Sequence, residues 1–131
     1  MALAQFIIAR LQADPTISGY VQQAIYPSAA IQDDRPPYIL FEEFDGDRYS
    51  SMGSDADICD SRVRFHLYHK SFTDAWKMAN ALRKSLQRYR GTLVNVQVDD
   101  VFTIAGGPQF YDVETRTHHL VRDFRIIYRE S

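Results

Sequence analysis

The chain has 131 residues, 45% of them hydrophobic and 24% charged, with 15 basic and 17 acidic side chains and a formal net charge of -2. Such a mixture describes one folded domain, expected over residues 1–131, and excludes a disordered chain. Near-balanced charge also excludes a protein that holds nucleic acid through a concentrated basic surface, and the single cysteine, Cys59, excludes a disulfide framework or a cysteine-based zinc site.

At the N-terminus, Leu3, Phe6, Ile7 and Leu11 recur at helical spacing, and Asp14-Pro15 is expected to stop the pattern. The run lacks a basic leader, and Gln5 and Arg10 interrupt its apolar residues, so it reads as a helix rather than a signal peptide. No segment approaches the ~20 apolar residues that span a bilayer. The connector that follows carries one short helical turn, expected from Val21 to Ile25. Pro36-Pro37 then opens the strand YILFEEFD, with Tyr38, Leu40 and Phe44 on one face and Ile39 and Phe41 on the other.

Residues 45–57, DGDRYSSMGSDAD, read as a long polar hairpin loop. An EF-hand calcium loop counted from Asp45 fits at its first and third positions. It fails at the fifth, sixth and twelfth, which are Tyr49, Ser50 and Ala56. No phosphate-cradling glycine pattern is present either. From Cys59 to His69 the pattern alternates cleanly: Cys59, Val63, Phe65 and Leu67 oppose Arg62, Arg64, His66 and Tyr68. Cys59 therefore reads as a small buried hydrophobe rather than a nucleophile.

Ser71 with Asp74 predicts the start of a second helix, with an apolar stripe of Phe72, Ala75, Ala79, Leu82, Leu86 and Tyr89 and Gly91 to end it. Trp76 on this helix reads as a packing or subunit-contact residue, and Arg83, Lys84, Arg88 and Arg90 as its solvated side. Val94, Val96, Val98, Phe102 and Ile104 share one parity with Asp100 as the exception. This predicts one long strand bulged near Asp99-Asp100, with a hairpin at the two aspartates as the competing reading. Ala105-Gly106-Gly107-Pro108 reads as a turn, and Leu120 to Arg129 as a final strand.

The order helix–strand–strand–helix–strand–strand predicts an α+β two-layer sandwich: an antiparallel sheet of about four strands with two helices on one face. The first and last strands are apolar on both faces, so a self-association surface is expected to cover part of the second one. Adjacent His118 and His119 point to opposite faces of a strand and cannot chelate one ion together. No metal, cofactor or catalytic constellation is expected.

Several of these stretches resemble the phage tail-completion proteins, also called tail terminators or tail-to-head joining proteins. They are the amphipathic helix ending at Asp14-Pro15, Ile25-Tyr26-Pro27, the Pro-Pro-Tyr-Ile-Leu-Phe strand, and Arg62-Val63-Arg64-Phe65 leading into FTDAWKMANALRKSL. The Phe110-Tyr111-Asp112 turn and the Arg122-Asp123-Phe124-Arg125-Ile126 strand complete the set. The resemblance implies a structural, non-enzymatic virion protein at the head-proximal end of the tail, assembled in the host cytoplasm. It would form a hexameric ring that caps the tail tube, ends its polymerisation and joins it to the head connector, with DNA only passing through and no membrane involved. On that reading residues 45–57 form an assembly arm. Arg48, Tyr49, Met52 and Asp55, together with Trp76, are the expected contacts, since aromatic, Met and Arg side chains are enriched in interface cores. The alternative is a small oligomeric α+β enzyme or ligand-binding domain using His66, His69 or His118 at a subunit cleft.

Overall fold

The computed structural model describes residues 2–22, 24–27, 36–50 and 57–130. Three helices, α1 (Ala2–Gln12), α2 (Pro15–Val21) and α3 (Phe72–Leu86), pack on one face of a six-stranded sheet. The strands are β1 (Ile25–Pro27), β2 (Tyr38–Ser50), β3 (Asp57–His69), β4 (Gly91–Leu93), β5 (Val96–Asp112) and β6 (Thr117–Glu130), in the spatial order β1-β2-β3-β6-β5-β4. The α+β class and both long hairpins follow the sequence pattern. The expected sheet of about four strands with two helices is corrected to six strands and three helices among the described residues.

The extra helix comes from Asp14-Pro15, which ends α1 and also starts α2. The Asp14 carboxylate accepts from the N–H groups of Thr16 and Ile17 (2.9 and 3.2 Å), and Pro15 occupies the first turn, where its missing N–H is harmless. The helical turn expected from Val21 to Ile25 is therefore displaced, and Ile25–Pro27 instead pairs in parallel with Ile39–Phe41. At α3 the Ser71 hydroxyl accepts from the N–H of Asp74 (3.3 Å), while the Ser71 N–H donates to Nδ1 of His69 (2.9 Å). Ser71 thus caps the helix, while its own N–H is taken by His69 rather than by Asp74. The helix ends at Gln87 rather than Gly91, which opens β4.

The β2–β3 ladder continues into the segment read as loop: Asp45 pairs with Arg62 and Ser50 with Asp57, after a register shift between Glu43 and Asp45. In β5 the predicted bulge occurs between Val98 and Asp100, which removes the competing hairpin. It also flips the parity, so Val101 is buried while Phe102 turns to the other face. The expected turn at 105–108 lies inside β5, at two further register shifts. The chain reverses only after Asp112, past the expected Phe110-Tyr111-Asp112 turn. The core gathers Phe6, Ile7 and Leu11 of α1, Met78, Leu82 and Leu86 of α3, and the sheet residues Ile39, Phe65, Leu67, Val101, Phe124 and Ile126. Phe65 stands at its centre, edge-on to Phe124 at 5.4 Å and tilted against Phe41 at 5.9 Å.

Candidate functional site

The sheet face turned away from the helices is tiled by rings and ion pairs. Tyr38 stacks on Tyr68 (centroids 4.5 Å apart), Tyr68 on His119 (4.3 Å), and Phe110 leans on His119 at 5.6 Å. Cross-strand pairing of Tyr38 with Tyr68, Tyr68 with His119 and His119 with Phe110 sets this row. The row borders a groove of about 480 Å³ that Pro36, Tyr111 and Thr117 also line.

His66 joins from the side. Its Nε2 lies 3.1 Å from a Glu42 carboxylate oxygen and its Nδ1 lies 2.8 Å from Nε2 of His119. A carboxylate only accepts, so His66 donates to Glu42 through Nε2–H. The His66 Nδ1–His119 Nε2 contact continues the chain, linking His119 through His66 to Glu42. Burial, and then the neighbouring His66, hold the His119 pKa down at about 4, which keeps that ring uncharged. Burial, with Tyr38 and Glu42 nearby, pushes the Tyr68 phenol up.

Beyond the rings the face is charge-matched. Arg64 grips Asp123 with two hydrogen bonds (2.9 and 3.3 Å), Arg125 grips Asp60 in the same way, and Arg129 meets Asp99 at 3.1 Å. The Arg125 bond holds the Asp60 carboxyl below its usual range. Arg64 also lies over the Phe44 ring at 4.6 Å.

The histidines divide as adjacency on a strand requires. His119 joins His66 on this face, whereas His118 pairs with His69 on the helix side and meets Phe72 edge-on at 5.3 Å. His66 therefore shares no cleft with His69 or His118 within the subunit. The His66–His119 contact was hidden in the sequence, because it depends on the register of β3 against β6. Cys59 is buried as expected, beside Tyr128 and at the far end of β3 from the histidines. Burial pushes the Tyr128 phenol up to about 12, against a hydrogen bond with Ser61 that pulls it down and with a smaller upward push from Cys59.

Of the expected contacts, Trp76 is 38% exposed on α3, with Phe72 beside it (6.0 Å) and the Arg122 guanidinium over its ring at 5.1 Å. Arg48 and Tyr49 lie on the paired part of β2, opposite Cys59 and Ile58. Met52 and Asp55 lie outside the described residues. Arg83 and Lys84 are exposed on α3 as expected. Arg88 and Arg90 lie past the helix end and share the Asp100 carboxylate at 2.8 and 3.3 Å.

The open face of this α+β fold thus carries stacked rings and self-matched ion pairs, and the described residues hold no group of three metal-ligating side chains. Over residues 5–129 the chain matches the family described as tail completion protein gp17, and it belongs to that family. It is thus a structural protein of the phage tail, as the sequence motifs imply. Among solved structures, a chain of the virion of a native gene transfer agent (GTA) particle superposes with a TM-score of 0.73. That chain is 16% identical, and the superposition covers 98% of this chain and 95% of the other, a likeness of fold. No curated protein sequence matches.

Proposed function

We propose that the chain is a subunit of a ring that caps the finished tail tube, ends its polymerisation and joins it to the head connector. Six subunits per ring is the number the family resemblance implies. The observation that carries this reading is the opposed direction of the two long hairpins. β2–β3 closes beyond Ser50 and Asp57, at the end of the sheet where β6 finishes, and β5–β6 closes beyond Asp112 and Thr117 at the opposite end. The second tip exposes Phe110, Tyr111 and Val113 at 55%, 50% and 76%, apolar surface that a free subunit does not need. A joining ring needs two unlike poles, one for the tube and one for the connector. The matched ion pairs of the open face suit a channel through which DNA passes without being held. The acidic 45–57 segment adds negative charge that repels it.

The test removes one pole at a time. Replacing residues 51–56 with Asn-Gly leaves Ser50 paired with Asp57 across a two-residue turn. Val113→Asp with Phe110→Ser makes the other tip polar. Both variants are expected to melt like the wild type yet to leave tails unjoined in a complementation assay. Normal yields of infectious particles from both would sink the reading.

A further inference from the structure

We propose, resting on the ring reading above, that neighbouring subunits join edge to edge: the outer edge of β2 pairs with the outer edge of β5 in the next copy. The end strands of the sheet are only stubs. β1 covers Ile39–Phe41 of β2, β4 covers Val96–Val98 of β5, and the Arg88 N–H reaches the Val101 carbonyl at 2.8 Å. Past these points, among the described residues, β2 from Glu42 onward and β5 from Phe102 onward meet no further strand on their outer sides. An exposed strand edge is a template for another chain. Pro108, which has no N–H, ends the usable length on β5, leaving Phe102 to Gly107 opposite Glu42 to Asp47.

Direction and chemistry both select a second copy as the occupant. β2, β3, β6 and β5 alternate in direction, so β2 and β5 run oppositely. Two copies side by side in the same orientation then bring β5 against β2 as an antiparallel pair, and the same contact repeats head-to-tail, as a cyclic ring requires. The stubs cover opposite ends of the sheet, so each junction is staggered along the strands, the offset that lets a tilted sheet close on itself. In this antiparallel register Phe102 stands opposite Asp47 and Gly107 opposite Glu42, so the Asp45–Asp47 end of the β2 edge meets the Asp100–Val101 end of the β5 edge. Beside β5, Arg88 and Arg90 share the single Asp100 carboxylate, leaving an excess of positive charge, and Arg88 lies 5.3 Å over the Phe102 ring. Phe44 and Ile104, exposed at 41% and 44%, supply an apolar residue to each edge.

Cross-linking of the full chain tests this. Cysteine is placed at Phe44 or Asp45 on one edge and at Ile104 or Ala105 on the other, singly and in all four pairs, with the buried Cys59 left in place; antiparallel pairing sets Phe44 opposite Ala105 and Asp45 opposite Ile104. Within one subunit β3 and β6 separate the two edges by roughly 14 Å, from the ~4.8 Å strand spacing, too far for a disulfide. Native mass spectrometry, with and without tail tube, reads the assembly alongside. The expected result is a covalent ladder up to the full ring mass under mild oxidation in at least one paired variant, while single-cysteine variants stop at dimers. An assembled ring with no ladder from any pair overturns the edge contact and leaves the ring reading standing. A wild type that stays monomeric even on the tube overturns both.

Discussion

The neutral His119 ring makes the folded chain sensitive to mild acid. In the unfolded chain this imidazole titrates near 6.5, and in the fold it is held at about 4, chiefly by burial and then by His66. As pH falls below 6.5 the unfolded state binds a proton that the native state refuses. Stability present above 6.5 is therefore lost between 6.5 and 4, and the loss levels off below 4. At about 1.4 kcal/mol per pH unit the full gap is about 3.5 kcal/mol, and solvent at the half-buried ring reduces it to roughly 2 kcal/mol. For a chain of this length that corresponds to a fall in Tm of about 8 °C. The control is His119→Phe, which keeps a ring against Tyr68 and Phe110 but cannot titrate. Thermal melts of both proteins from pH 7.5 to 4.5 should show the variant gaining on the wild type by about that amount. A Tm difference that does not change with pH, or an NMR titration of His119 centred near 6.5, refutes the reasoning.

Three further outcomes follow from the packing. Phe65→Ala, at the fully buried junction of Phe41 and Phe124, should destabilise by about 3–5 kcal/mol in urea unfolding. A double-mutant cycle on Arg64 and Asp123, whose side chains are 39% and 19% exposed, should return a coupling of about 1 kcal/mol or less, shrinking with added salt. Val94 and Asn95 form the two-residue turn between β4 and β5, both at positive φ (53° and 63°), where a β-branched residue is strained. Val94→Gly should therefore raise the stability of the isolated subunit by roughly 1 kcal/mol, read as a higher urea midpoint.

The sequence was most legible where side-chain period and burial agree. Cys59 to Leu67 alternates because one face meets the helices, and Ser71 starts α3 because its hydroxyl has an orphan N–H to cap. It was least legible where a single residue serves two elements or where parity breaks. Asp14-Pro15 looks like a stop, yet the same carboxylate begins α2. β1 and β4 are too short to show a period at all. The glycines and Pro108 suggest a turn, but here they permit register shifts inside β5. The His66–His119–Glu42 relay needs three strands in register, which no local pattern encodes.

The second face of the sheet is where the sequence argument needs revising. Apolar residues on both sides of β2 and β6 suggest a face that only a partner could cover. Val121 is nevertheless 4% exposed although it lies outside the helix-side core cluster, and Leu40 and Ile127 are partly buried on the same face. Much of the cover comes from within: the Tyr38, Tyr68 and His119 rings stack face to face across three strands, and Arg64 lays its guanidinium over Phe44. A face that already satisfies its rings and charges gains little from binding a flat partner, because each matched pair would have to be desolvated again. Among the described residues, the strand edges past the stubs and the apolar hairpin tip at Phe110–Val113 are surfaces left open. In the ring proposed above, contacts at edges and tips would set subunits side by side and stack them pole to pole, leaving the tiled face to line the channel.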